Sequence, residues 1–252
     1  MKFITFNTWK CDGDYTRRID LMCRYLYNHQ VDFILLQESF KSEDNKYNTS
    51  KQLANHLSLS ETFFPARLKS RTVSDHTIAS YSGLAILSRH PVTDTGILSL
   101  PDDNEDGERI AGWATYEVDK NPVLVINTHL SHLVHREDLR QKQLSYIIKF
   151  AKPYAESHTI ILGGDMNSTP TRDALVWLAN QNDISASNAW HARSTVEFPN
   201  TLVTREEDSC IDHLYLLGSF TKQQWREVKV ILDQPHNGIY PSDHTGILAT
   251  LE

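Results

Sequence analysis

The stretch TIILGGDMNSTP, residues 159–170, decides how the chain is read. Ile160, Ile161 and Leu162 follow one another without alternation, the pattern of a strand covered on both faces. That strand would span 159–165 and deliver Asp165 at its end, with Asn167 two residues further on. Thr169 would then cap a helix carrying Pro170 at its first position and running through Leu175 and Leu178. Gly163 and Gly164 lack the further glycines and the lysine of a phosphate-cradling loop. Close backbone packing just before Asp165 explains them better.

Outward from this stretch, comparable apolar runs recur along the whole chain. They are KFITFN (2–7), VDFILLQ (31–37), GLAILS (83–88), GWATYEV (112–118), PVLVINTHL (122–130), IDHLYLL (211–217), EVKVIL (227–232) and GILATL (246–251). Between them Ile19, Met22, Cys23 and Leu26, and again Leu144, Ile147, Ile148 and Ala151, recur at helical spacing. Nine strands or more are too many for one comfortable open sheet. The expected fold is therefore α/β: two packed mixed sheets with helices outside, in one domain over 1–252. Residues 63–82 carry Arg67, Lys69, Arg71 and His76 with little apolar patterning, and read as a long loop that reaches over a substrate or lies disordered on the surface.

Twenty-five basic against 32 acidic side chains give a net charge of −7, which argues against a general nucleic-acid coat. It does not remove a metal-dependent nuclease, whose cations the count omits. Cys11, Cys23 and Cys210 lie far apart with no Cys-x-x-Cys pair, so reduced thiols are expected rather than a disulfide framework or a cysteine zinc site. No apolar run approaches the roughly 18 residues of a membrane span. The opening MKFITFNTWK holds no signal-peptide core. A cytoplasmic protein without stable membrane insertion is expected.

The strand ends carry the chemistry. They present Asn7, Glu38, His129, Asp165, Asn167, Asp212 and the pair Asp243-His244. Taken singly, an Asp or Asn after a strand is a turn former or helix cap. Turn chemistry does not account for Glu38 directly after FILLQ, nor for two histidines each at a strand end. Oxygen donors without a cysteine or His-x-x-x-His cluster suit Mg²⁺ or Mn²⁺ better than Zn²⁺, and Mg²⁺ favours phosphate-ester chemistry.

Read together, FNTW, LLQES, GLAILSRHPV, NTHLSH, GGDMNSTP, IDHLYL and PSDHTG resemble the endonuclease/exonuclease/phosphatase superfamily, the DNase I-like fold, in the family's order from Asn7 to His244. The resemblance implies a four-layer α/β sandwich with its site at one edge of two packed sheets. It also implies roles. Glu38 would be the principal metal ligand, with Asn7 beside it and Asp243 at the metal or its water. Asp165 would orient and deprotonate the attacking water, and Asn167 would hold a phosphate oxygen. His244, fixed by Asp212, and His129 would contact the phosphoryl oxygens, and Arg109 would bind substrate. The activity expected is a divalent-metal-dependent phosphodiesterase, monomeric and without a protein partner, acting on a small, nucleotide or lipid-headgroup diester. A DNA or RNA endo- or exonuclease is the alternative, and a non-catalytic binding domain of the same fold a more remote one.

Three further segments carry expectations. The acidic run Asp102, Asp103, Glu105, Asp106 and Glu108 reads as a solvated loop. His132 and His135 read as solvated or rim histidines, since no carboxylate pattern completes a zinc triad. Trp190, His191 and Arg193 read equally as a stacking platform for a base or headgroup and as a loop anchor.

Overall fold

The computed structural model describes residues 1–73, 75–193, 197–203, 209–218 and 223–252. Its strands are β1 (Lys2–Asn7), β2 (Phe33–Ser42), β3 (Ser60–Val73), β4 (His76–Ser88), β5 (Val92–Leu100), β6 (Arg109–Val118), β7 (Asn121–His129), β8 (Thr159–Asp165), β9 (Ala186–Asn188), β10 (Asp212–Leu217), β11 (Trp225–Ile231) and β12 (Gly246–Leu251). Its helices are α1 (Tyr15–Tyr27), α2 (Thr49–Leu57), α3 (Glu137–Ala151) and α4 (Asp173–Asn180). The strands form two six-stranded sheets, ordered β11-β12-β1-β2-β4-β3 and β5-β6-β7-β8-β10-β9. Each has one parallel pair at its centre, β1 with β2 and β7 with β8, among antiparallel neighbours.

Alternation within the apolar runs builds the layers. Phe3, Phe33 and Leu35 from the first sheet meet Val123, Val125, Ile161 and Leu214 from the second in the central core. Their sequence neighbours Ile4, Phe6, Ile34 and Leu36 turn outward under Ile19, Met22 and Leu26 of α1 and Leu53 of α2. On the far side Leu124, Ile126, Ile160 and Leu162 lie under Leu144 and Ile147 of α3 and Leu175 and Leu178 of α4. Helix, sheet, sheet and helix thus make the four-layer sandwich, and burial on both faces explains why these strands read as unbroken apolar runs. All three cysteines are free and buried. Among the described residues no helix is long and apolar enough to cross a membrane.

Some local expectations need correction. Residues 63–73 and 76–82 are not a loop: they belong to β3 and β4, paired from Ser60↔Ser88 to Val73↔His76. The outer half of this hairpin is a largely exposed ribbon, so no core imposes an apolar alternation on it. The fourth helix starts at Asp173 rather than beside Pro170, because the carboxylate of Glu137 accepts hydrogen bonds from the Ala174 N–H (3.2 Å) and the Ser168 hydroxyl (2.8 Å). Thr169 instead accepts from the Arg172 N–H through its carbonyl, closing a turn. Gly164 sits at φ 145, and a Cβ there would lie 1.9 Å from the Thr128 carbonyl oxygen. Gly164 therefore serves backbone packing against β7, whereas Gly163 makes room for the Leu214 and Leu35 side chains.

Candidate active site

Pairing register assembles the site. His129 stands opposite Asp165 across β7 and β8, and Asp212 opposite Asp165 across β8 and β10, so three polar groups lie side by side at one sheet edge. On the facing sheet, Asn7 at the end of β1 stands beside Gln37 of β2. Asn7, Glu38, Arg109, His129, Asp165, Asn167, Asp243 and His244 all line one open cleft of about 310 Å³. Asp212 lies behind His244, fully buried.

Glu38 reaches the cleft through a bulge. Leu36 pairs with Ala85 and Ser39 with Gly83, so Gln37 and Glu38 together oppose Leu84, and Glu38 takes the left-handed φ of 51. The interruption frees the carbonyls of Leu36 and Ala85, and the buried amide of Asn127 donates to both, at 2.8 and 2.9 Å. Gln37 Nε2 in turn donates to Asn127 Oδ1 at 2.7 Å, which ties the two sheets together directly beneath the site. Glu38 pairs with the Lys10 ammonium at 3.2 Å, and its charge also acts on Arg71.

The loop after β1 is also strained, with Trp9 at φ 54 and Lys10 at φ 41. Arg18 of α1 holds it. This guanidinium is 1% exposed and donates to five carbonyls: Asp12, Thr8, Trp9, Lys10 and Pro241. One buried cation therefore fastens the Asn7 turn to the segment that leads into Asp243. The Ser242 hydroxyl adds a bond to the Asn7 carbonyl at 2.7 Å.

Asp165 is the hub. Its Oδ1 accepts from the Asn167 N–H at 2.9 Å, and its Oδ2 accepts from Asn7 Nδ2 at 3.1 Å. Nε2 of His129 and Nε2 of His244 lie 3.4 and 3.7 Å from that same Oδ2. Burial, and then the nearby Asp212, raise the Asp165 pKa, with His244 and the two hydrogen bonds opposing. The histidines separate. Burial disfavours a charge on His244, but the Asp212 carboxylate accepting from Nδ1 at 2.9 Å, with Asp165 and Asp243, outweighs it and raises the pKa to about 10. His129 goes the other way: burial and then Arg109 push it well below the ordinary histidine value. At neutral pH the site holds one imidazolium and one neutral imidazole.

Arg109 is a braced group. Its Nε and Nη2 donate to the two oxygens of Asp106 at 3.0 and 2.6 Å, and Nη1 donates to the His129 carbonyl at 3.4 Å. Asp106 is fully buried, so the acidic run is not uniformly a solvated loop. Its pair with Arg109 outweighs the cost of burial and keeps its pKa low. His132 stands at the rim with Nδ1 2.7 Å from both Arg109 Nη2 and Asp106 Oδ1, so its tautomer decides which bond forms. Trp190 is buried and its Nε1–H donates to the Asp212 carbonyl at 3.3 Å, which makes it an anchor behind the site rather than a stacking platform.

Two oxygen-rich sets could hold a cation. Asp165, Asp212 and His244 present ligand atoms within 4.8 Å of one another. There the Asp212–His244 hydrogen bond takes Asp212 Oδ2 and His244 Nδ1, while Asp212 Oδ1 is buried without a hydrogen-bond partner among the described residues. Glu38, Asn7 and Asp243 offer carboxylate and amide oxygens at the cleft wall, and the Lys10 ammonium already marks Glu38 as a seat for positive charge. That donor chemistry fits a hard divalent ion. Gln37, Asn127, Thr8, Arg18 and Asp106 escaped the sequence reading. The amides in LLQE and VINT, polar among buried apolar neighbours, were the available signal for the first two.

The fold recurs in solved structures. An endonuclease/exonuclease/phosphatase from Bacteroides vulgatus matches at a TM-score of 0.77 and 19% identity, over 100% of this chain and 98% of the other. The human Nocturnin catalytic domain with bound sulfate matches at 0.76 and 18%, over 100% and 94%. D. rerio TDP2 complexed with a single-strand DNA product matches at 0.75 and 20%, over 100% and 98%. No curated protein matches the chain. The model of the endonuclease/exonuclease/phosphatase family, whose members are phosphoester hydrolases, matches residues 4–244. With that match over nearly its whole length, the chain belongs to the endonuclease/exonuclease/phosphatase family.

Proposed function

We propose that the chain is a divalent-metal-dependent phosphodiesterase in which residues 1–252 act as one catalytic domain. The observation that carries this reading is the convergence on Asp165 Oδ2 of Asn7, His129 and His244, with the Asp212 pair behind His244. Asp165, whose burial raises its pKa toward the working range of a general base, takes the proton of the attacking water and orients it. Negative charge grows on the non-bridging oxygens, and the His244 imidazolium is poised to receive it, oriented by Asp212. His129, neutral, serves through its N–H. Asn167 spends one amide hydrogen on the Leu130 carbonyl at 3.0 Å and keeps the other for a phosphate oxygen. Mg²⁺ or Mn²⁺ seated on Glu38, Asn7 and Asp243 would neutralise phosphoryl charge as a Lewis acid. A monomer in a cytoplasmic setting is part of this reading.

The nuclease reading rests on a specific observation: Lys10, Arg67, Arg71 and Arg109 all line the cleft despite the acidic net charge. Nicking of supercoiled plasmid and hydrolysis of bis(p-nitrophenyl) phosphate, each with and without Mg²⁺, separate the readings. Release of nitrophenolate with intact plasmid supports a small diester. Nicking by wild type and not by His244→Ala supports a nuclease. Failure of both, with a folded protein that Mg²⁺ and Mn²⁺ do not stabilise thermally, favours a non-catalytic domain.

A further inference from the structure

The hairpin of β3 and β4 brings two more cations to the cleft, and they differ from the one the sequence singled out. Arg109 has spent most of its donors on Asp106 and the His129 carbonyl. Arg67 forms no hydrogen bond or ion pair with any described residue, yet it is only half-exposed and faces the cleft. Its guanidinium is held by shape: it lies so close to Gly107 that a Cβ there would come within 2.5 Å of Nη2. Arg71 donates through Nη1 to the Ser80 carbonyl at 2.6 Å and to the Ser80 hydroxyl at 3.3 Å, leaving Nε and Nη2 without a described partner. Ladder pairing is regular from Arg67↔Ser82 to Val73↔His76, so Arg67, Lys69 and Arg71 share one face of the ribbon. Lys69, between them, is exposed and lies outside the cleft. Cations that only solubilise a ribbon all extend into water. Here two are drawn in and one is not.

From this placement we infer that Arg67 and Arg71 form a second anion subsite, which binds a phosphate of the substrate other than the one cleaved. The inference rests on the phosphodiesterase reading and adds the substrate class: a diester that carries at least one further phosphate. Guanidinium forks with free donors match phosphate oxygens in bidentate fashion, and partial burial strengthens the pair. The hairpin wall thereby selects for the additional phosphate, while the Asp165 edge does the chemistry.

The test compares thymidine 5′-(p-nitrophenyl phosphate) with the same compound carrying a 3′-phosphate, under Mg²⁺. Wild type should show kcat/KM about tenfold or more in favour of the bisphosphate, chiefly through KM. Arg67→Gln and Arg71→Gln should bring that ratio close to one, whereas Lys69→Ala, the same charge loss outside the cleft, should retain it. A wild-type ratio near one with the parent compound hydrolysed overturns the subsite and leaves the phosphodiesterase reading standing. A ratio retained in both arginine variants overturns the assignment. If neither compound is hydrolysed, bis(p-nitrophenyl) phosphate hydrolysis decides the phosphodiesterase reading, and binding decides the subsite alone. Thymidine 3′,5′-bisphosphate or thymidine 5′-diphosphate must then raise the melting temperature more than thymidine 5′-monophosphate in wild type, and lose that margin in Arg67→Gln. Equal shifts reject it.

Discussion

Glu38 and His213 show how single side chains carry opposite burdens. Glu38 holds a left-handed φ of 51, a conformation that costs a non-glycine residue about 1 kcal/mol or more. Glu38→Gly relieves that strain while removing the carboxylate. Its folding stability should stay within about 1 kcal/mol of wild type, and its stabilisation by Mg²⁺ should vanish. Denaturant melts with and without the ion check both, and an unchanged Mg²⁺ effect would contradict the metal assignment. His213 is fully buried between Asn188, which meets Nδ1 at 3.1 Å, and the carbonyls of Ser168 and Cys210, each 3.1 Å from Nε2. Burial lowers its pKa to about 4, against hydrogen bonds that favour the charge. The unfolded chain therefore takes up a proton first as pH falls. The stability this histidine contributes is complete above pH 6.5 and is lost down to pH 4, by on the order of 3 kcal/mol. The stability gap between wild type and His213→Asn should shrink over that window. A gap independent of pH would show that His213 is charged in the fold.

At the scale of elements, α1 matters for what Arg18 does beneath the loop after β1. Arg18→Met keeps the volume and removes five hydrogen bonds, those to the Thr8 and Pro241 carbonyls fully buried, so it should cost about 3 kcal/mol. It should also weaken Mg²⁺ stabilisation, because the Asn7 turn and the Asp243 segment lose their common fastening. A variant equally destabilised in α3, such as Leu144→Ala, should keep its Mg²⁺ response. If it does not, Arg18 has no special hold on the metal set. The strands that carry the site were legible because double burial leaves a continuous apolar signature, as in β7 and β8. The outer hairpin of β3 and β4 and the edge strand β5 were not, since exposed elements carry no such pattern, and the nine residues of α2 bury only Leu53 and Ala54 as apolar side chains. Site residues at strand ends could be read as a set. Arg18 and Asp106 could not, because each is recognisable only by partners that folding brings together, and composition treats them as surface charge.

Across the whole molecule, a net charge of −7 surrounds a cleft that Lys10, Arg67, Arg71 and Arg109 line from its opposing walls. Glu38, Glu108, Asp165 and Asp243 line the same cleft, so the pull on an anionic ester comes from the individual guanidinium groups rather than from a net positive groove. KM for such a substrate should therefore rise several-fold between about 0.05 and 0.5 M salt, with kcat changing little. A flat salt response would mean that the cleft arginines do not act on the substrate. In the proposed mechanism, water deprotonated and aimed by Asp165 attacks phosphorus in this cleft. The most direct measurement is hydrolysis of bis(p-nitrophenyl) phosphate in ¹⁸O-water with Mg²⁺, comparing wild type with a folded Asp165→Asn. The account predicts one ¹⁸O in the phosphate monoester formed by wild type, none in the nitrophenol, and no turnover by the variant. Label in the nitrophenol, or undiminished turnover by Asp165→Asn, would contradict it.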